Sequence, residues 1–278
     1  MLRSLIRKTR LALREHVVSL PMADPAPLPP TYEERQAVAL SIEGMMSAFS
    51  MQIMDALLTC QHNLGIAGHL IEFGVYKGRS ASLISGHVRD GERFIVVDIN
   101  QMLSDKTLGK LYARPEFVVG RSEDFRSIFN FRPIRRAMRF IHVDSNHAYR
   151  TTLAEMALID SLLTPDGIAC LDDFTNLDYS QILPAVFKYL YTTKTDLTFF
   201  LVTRDKGYLC RWPYFERYGN FVLNEIVNEM AKRGNPEVLL SRTDSDPEYR
   251  AFFVRERLPG EQSTRYGEDL YSAFYERP

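Results

Sequence analysis

Between Gly68 and Arg211, apolar runs of strand length alternate with segments of helical spacing. Few folds accept that order, because strand, helix and strand in succession build a mostly parallel sheet with helices on both faces. The spacing predicts strands at His69–Phe73, Arg93–Val97 (ending at Asp98), Phe117–Val119, Arg139–Val143 and Ile168–Leu171. Helices are expected from about Ser80, from near Ser122-Glu-Asp124, over Thr151–Leu163 and over Gln181–Leu190, with Pro165-Asp-Gly167 as the turn into strand five. The runs Leu197–Val202 and Gly207–Cys210 are separated only by Arg204-Asp-Lys206, which predicts a closing antiparallel hairpin. The expected fold class is therefore a doubly wound α/β sheet, parallel except for that C-terminal hairpin.

In such sheets ligands bind outside the carboxyl ends of the strands. Asp144-Ser-Asn-His147 closes strand four and Asp172-Asp173 closes strand five, so three carboxylates and an imidazole face one crevice. His142 is read as lying on the other face of strand four, and as structural. The first strand-to-helix turn, Glu72-Phe-Gly-Val-Tyr-Lys-Gly78, spaces its glycines as G-x-x-x-G, unlike the G-x-G-x-x-G of dinucleotide sites. Gly74 and Gly78 permit positive φ and close approach of backbone to a ligand, while Glu72 repels a pyrophosphate and suits a cationic ligand. Asp98 can accept hydrogen bonds from ribose hydroxyls.

With Val96-Val-Asp98, Ile141-His-Val-Asp-Ser-Asn-His-Ala-Tyr149 and Pro165-Asp-Gly-Ile-Ala-Cys-Leu-Asp-Asp-Phe174, that turn resembles the class I S-adenosylmethionine-dependent methyltransferases. Within them the chain resembles the metal-dependent O-methyltransferases of the macrolide-sugar (macrocin) and cephalosporin biosynthesis group. The resemblance covers about the middle half of the chain and implies a Rossmann-like methyltransferase sheet. It assigns the cofactor's methionine part to the turn holding Glu72, Phe73, Gly74, Val75, Tyr76, Gly78 and Ser80, the ribose to Asp98, and the adenine to a turn with Gly120, Ser122 and Glu123. Many relatives carry Asp-Gly where this chain has Asp144-Ser145.

Family resemblance and residue chemistry agree on a metal at Asp144, Asp172 and Asp173, and oxygen donors favour Mg²⁺. The other reading has Asp173 capping a following turn and Asp144 capping a helix. His147 is the expected general base, with Asp144 beside it at the reacting centre; a structural histidine is the alternative. The function expected is O-methylation of a small-molecule hydroxyl, on a natural-product sugar, a polyketide or a catechol-like acceptor. A non-catalytic scaffold with a cofactor fold, or a nucleotide-dependent oxidoreductase, are the competing functions.

The chain has 278 residues, 45% of them hydrophobic, with a net charge of −1, which gives no electrostatic footprint for nucleic acid. Cys60, Cys170 and Cys210 form no CxxC pair and read as small hydrophobes in a reduced, cytoplasmic setting. No apolar run approaches the roughly 18 residues of a membrane span. Four parts are expected: residues 1–30, an amphipathic helix (Leu2, Leu5, Ile6, Leu13 and Val17 against Arg3, Arg7, Lys8, Arg10 and Arg14) followed by a Pro-rich spacer; 31–67, a helical cap started at Thr31; 68–212, the S-adenosylmethionine-binding catalytic domain; and 213–278, a C-terminal extension. The amino-terminal helix reads as a contact with the body or a second subunit, a membrane-surface helix or a presequence. A homo-oligomer would form through it or through the extension, where Tyr266, Tyr271, Phe274 and Tyr275 supply packing or contact area. Met45 and Met46, in a stripe running to Met51, are read as core.

Overall fold

The computed structural model describes residues 31–241 and 251–257. The expected amino-terminal helix and spacer and the aromatic tail lie outside the described residues. No described helix is long and apolar enough to cross a membrane.

Helix α1 (Tyr32–Leu40) begins where expected. The Thr31 hydroxyl accepts from the Glu34 N–H at 3.3 Å while the Glu34 carboxylate accepts from the Thr31 N–H at 2.8 Å, a reciprocal cap. The helical pattern does not continue unbroken, however. After an irregular stretch, Ser47 caps a second helix, α2 (Ala48–Asn63). Met45 falls in the break and is 89% exposed, so the reading of this methionine as core is corrected: helical spacing has no meaning where the backbone leaves the helix.

The sheet has nine strands: β1 (His69–Phe73), β2 (Phe94–Asp98), β3 (Glu116–Val119), β4 (Met138–Val143), β5 (Leu163–Leu171), β6 (Leu197–Val202), β7 (Gly207–Arg211), β8 (Val238–Ser241) and β9 (Phe252–Glu256). They lie in the order β3-β2-β1-β4-β5-β7-β6-β9-β8. The first five are parallel, β7 runs antiparallel between β5 and β6 as the predicted hairpin, and β9 joins β6 in parallel. Pro165-Asp-Gly167 is a bulge inside β5 rather than a turn before it, since Met138 pairs Leu163 while Phe140 already pairs Ile168.

Between the strands run α3 (Arg79–Ser85), α4 (Asp105–Leu108), α5 (Phe125–Ile128), α6 (Tyr149–Leu162) and α7 (Ile182–Thr192). The expected extension opens with two helices, α8 (Phe215–Asn224) and α9 (Ile226–Lys232). Alternation along the strands divides the core in two. Leu70, Val96, Phe140, Ile168 and Cys210 meet α2, α3, α8 and α9 on one face. Ile71, Ile95, Ile141, Ala169 and Leu209 meet α5, α6 and α7 on the other. Residues of the expected extension thus close the first core and widen the same sheet.

Candidate active site

Strand order reverses between β1 and β4, and the carboxyl ends of these strands form the floor of a crevice. Backbone pairing runs to the last residue: Asp144 N–H donates to the Phe73 carbonyl at 2.7 Å and Asp172 N–H to that of Val143 at 2.8 Å. Gly74 has φ +81°, and a Cβ there would stand 1.8 Å from the Asp144 carbonyl oxygen. Only glycine fits between the two strand ends.

Two clefts meet above this floor. One of about 720 Å³ passes Gly74, Tyr76 and Asp98 to Gly120, Ser122 and Glu123. The other, about 300 Å³, lies over Asp172, Asp173 and Lys206 and is also walled by Val75 and Ser80. Met45, Tyr76, Asp144, His147 and Tyr179 belong to both. Among the described residues four non-glycines have positive φ, and three of them, Tyr76 (45°), His147 (58°) and Asp173 (51°), stand here. Strain of this kind persists where the surrounding structure enforces it, and gathers at functional sites.

Of the residues expected to hold a cofactor, Gly74, Tyr76, Asp98, Gly120, Ser122 and Glu123 therefore line the larger cleft. Glu72, Phe73 and Gly78 line neither. The Phe73 ring packs edge-on against Phe125 at 5.3 Å, Gly78 is the left-handed cap of α3, and Glu72 is buried with its Oε1 2.8 Å from His142 Nδ1. Asp98 shapes the glycine turn as well as facing the cleft, because its Oδ2 accepts the N–H groups of Val75 (2.8 Å) and Tyr76 (3.0 Å).

His142 requires a correction. It is two residues from Asp144, so period-two alternation puts both on the same face. Its Nε2 stands 3.7 Å from Asp172 Oδ2, behind the carboxylates rather than across the sheet from them. Burial disfavours its charge, but the nearby Asp172, Cys170 and Glu72 hold its pKa well above the ordinary histidine value. His147 behaves in the opposite sense: burial lowers its pKa against the pull of Asp173 and Asp172. Its Nε2 lies 3.6 Å from Asp144 Oδ1 and 3.4 Å from Asp173 Oδ2, and its ring is 4.3 Å from that of Tyr179.

The three carboxylates are not equivalent. Asp144 is pushed up to about 7 by burial and by the neighbouring Asp172. Burial would raise Asp172 too, but the Lys206 ammonium at 2.5 Å and His142 hold it far below the usual range. Two groups bring three donor atoms within 4.8 Å of one another: His142, Asp144 and Asp172, and Asp144, His147 and Asp173. Asp144 with Asp173 suits a hard divalent cation by donor type, whereas Asp172 already has a cation beside it.

Sequence reasoning passed over Lys206, treated only as part of a hairpin connection, and Met45, treated as core. Tyr179, on the loop after β5, was also missed. The sequence carries no signal for Lys206, which stands beside Arg204 and Asp205 in a charged hairpin connection; only the folded hairpin buries its ammonium, which then requires a carboxylate.

Residues 71–174 match a family model described as a methyltransferase domain. No curated protein matches the chain. Among solved structures, an O-methyltransferase from Streptomyces achromogenes involved in tomaymycin synthesis, in complex with S-adenosylmethionine, is 12% identical over 73% of this chain and 96% of its own, with a TM-score of 0.49. An O-methyltransferase from Bacillus cereus in complex with S-adenosylhomocysteine is 15% identical over 73% and 97%, at 0.49. A TDP-rhamnose 3′-O-methyltransferase of calicheamicin biosynthesis is 18% identical over 74% and 94%, at 0.45. The domain match runs from within β1 to just past the end of β5, and with it the strand ends that carry Asp98, Asp144 and Asp172.

Proposed function

We propose that this chain, which carries a methyltransferase domain, transfers a methyl group from S-adenosylmethionine to a hydroxyl oxygen of a small molecule. One observation carries the reading: a cleft of cofactor size and a smaller acidic cleft share the wall formed by Tyr76, Asp144, His147 and Tyr179. A methyl group crossing that wall travels directly from donor to acceptor. When bound, S-adenosylmethionine supplies a sulfonium methyl, and a divalent cation, Mg²⁺ by the oxygen donors, supplies a Lewis acid that lowers the pKa of the acceptor hydroxyl.

The rest is done by side chains. Asp98 and the glycine turn receive the ribose and methionine parts, and Ser122 and Glu123 flank the adenine. Asp144 and Asp173 would hold the cation. His147, kept neutral by burial, would take the acceptor hydroxyl proton on Nε2 as that oxygen receives the methyl group. Tyr179 fixes the imidazole plane. Orientation across the shared wall supplies much of the remaining rate. A volume of about 300 Å³ suits a single-ring acceptor, and two adjacent oxygens, as in a sugar diol or a catechol, match its paired carboxylates.

Calorimetric titration with S-adenosylhomocysteine and with NAD⁺ tests the reading. The first is expected to bind and the second not; the reverse would give the fold to an oxidoreductase, and binding of neither to a scaffold. Asp98→Ala should weaken S-adenosylhomocysteine by about 1–3 kcal/mol, the scale for hydrogen bonds to a charged group. Asp98→Asn should cost less, since it keeps an oxygen for the Val75 and Tyr76 N–H groups.

A further inference from the structure

Both oxygens of Asp172 are engaged within the chain. Oδ1 accepts the Asp173 N–H at 2.8 Å, and Oδ2 accepts from the Lys206 ammonium at 2.5 Å. Lys206 is 2% exposed, yet it lies on the wall of the smaller cleft. Its backbone is fixed from both sides. Thr203 Oγ1 accepts the Lys206 N–H at 3.0 Å, and the Thr203 N–H donates to the Lys206 carbonyl at 2.8 Å. The adjoining Asp205 carbonyl accepts from the Phe174 N–H at 2.9 Å, which ties the hairpin to the loop after β5.

On the inner side of Asp172 stands His142, fully buried, whose Nε2 has no hydrogen-bond partner. A divalent ion at Asp172 would therefore meet an ammonium held in place and an imidazole behind it. Asp144 Oδ1 and Asp173 Oδ2 are placed differently, 3.6 and 3.4 Å from His147, distances that no hydrogen bond closes. An ammonium has three N–H groups and a single carboxylate oxygen engages one, so donors remain for an oxygen in the cleft.

We propose that Lys206 is the resident cation of the acceptor cleft. It keeps Asp172 out of metal coordination and offers its remaining N–H groups to the acceptor oxygen as that oxygen becomes anionic, while a divalent ion is confined to Asp144 and Asp173. Lys206 neither gives nor takes a proton in this role. The inference rests on the methyl-transfer reading for the identity of the acceptor oxygen, but the partition of charge around Asp172 is measurable without it.

The test is Mn²⁺ binding by calorimetry to the full chain, with and without S-adenosylhomocysteine. Asp172→Asn should leave Mn²⁺ affinity within about threefold of the parent, whereas Lys206→Gln should tighten it by about tenfold or more, on the scale by which groups around a metal site change its affinity. The double variant should lose that gain, and Lys206→Arg should behave as the parent. A fall of about tenfold in Asp172→Asn, or no gain in Lys206→Gln, would overturn the proposal. If Lys206→Gln does not fold, the Asp172→Asn arm decides. A parent that binds no Mn²⁺ removes the metal from the proposed function, and a site newly acquired in Lys206→Gln then still reads the pair. Failure to bind S-adenosylhomocysteine would strike the methyltransferase reading instead.

Discussion

His147 owes its posture to its neighbours: a left-handed backbone, Tyr179 against the ring, and a carboxylate on either side of Nε2. Its replacement by Ala should leave S-adenosylhomocysteine and Mn²⁺ binding nearly unchanged and reduce turnover of a screened acceptor by about 10²–10⁴, the scale of general-base catalysis. Turnover equal to the parent's would make the histidine packing. Glu155 presents a second residue-scale case. It is buried on α6, bonded to Ser145 beside Asp144, and burial pushes its carboxyl up to about 7 against hydrogen bonds from Ser122 and Ser145. An unfolded glutamate releases its proton near about 4.3. The folded state therefore gains from Glu155 at low pH, and that gain is lost as the pH rises to about 7. Between about pH 4.5 and 8 the thermal midpoint of Glu155→Gln should gain on that of the parent as the pH rises, because only the parent loses this contribution. Identical slopes would contradict the raised value.

At the scale of elements, one buried aspartate joins four segments. Asp55 on α2 accepts from Arg35 of α1 (2.8 Å) and from Arg233 after α9 (2.9 Å), and lies 2.7 Å from His87 after α3. These contacts set the helices over the face that carries Asp144 and Asp172. Burial would raise Asp55, but His87 and Arg35 hold it below the usual carboxylate range; burial lowers His87 against the pull of Asp55. Both folded pKa values thus lie below their unfolded ones. The contribution of this cluster to stability is full above about pH 6.5 and falls with acid, first as unfolded His87 takes up a proton and then, below about 3.9, through Asp55. Asp55→Asn should cost about 3–5 kcal/mol in urea unfolding, because it removes the buried carboxylate shared by the Arg35 and Arg233 guanidinium groups. A loss under about 1 kcal/mol would show that the cluster is not a joint between elements.

For the whole molecule the two ends should differ. Every described residue walling the two clefts lies between Gly44 and Lys206, so a chain starting at Thr31 should fold and bind S-adenosylhomocysteine. One ending at Trp212 should not. It would lose Phe215, Tyr218, Val222, Ile226 and Met230 from the first core and leave the edge of β6 unpaired. Soluble expression and ligand-induced stabilisation of the two truncated chains would check this asymmetry. A folded short chain ending at Trp212 would make α8, α9, β8 and β9 a separable addition.

Sequence alone determined the parallel sheet, its hairpin and the carboxylates at the strand ends, because strand period and glycine turns are local properties that the chain carries wherever it folds. His142 was misread although its position relative to Asp144 was equally local: two residues apart means one face. Other features were decided only by the assembled structure. Met45 left its helical pattern when the chain broke at Ser41–Ser47, and Lys206 reached Asp172 because β7 inserts beside β5. Asp172 and Asp173 are neighbours in sequence, yet one is paired with an ammonium and the other faces an imidazole. Which carboxylate meets which cation depends on distances between segments far apart in the chain, and only the folded sheet sets those.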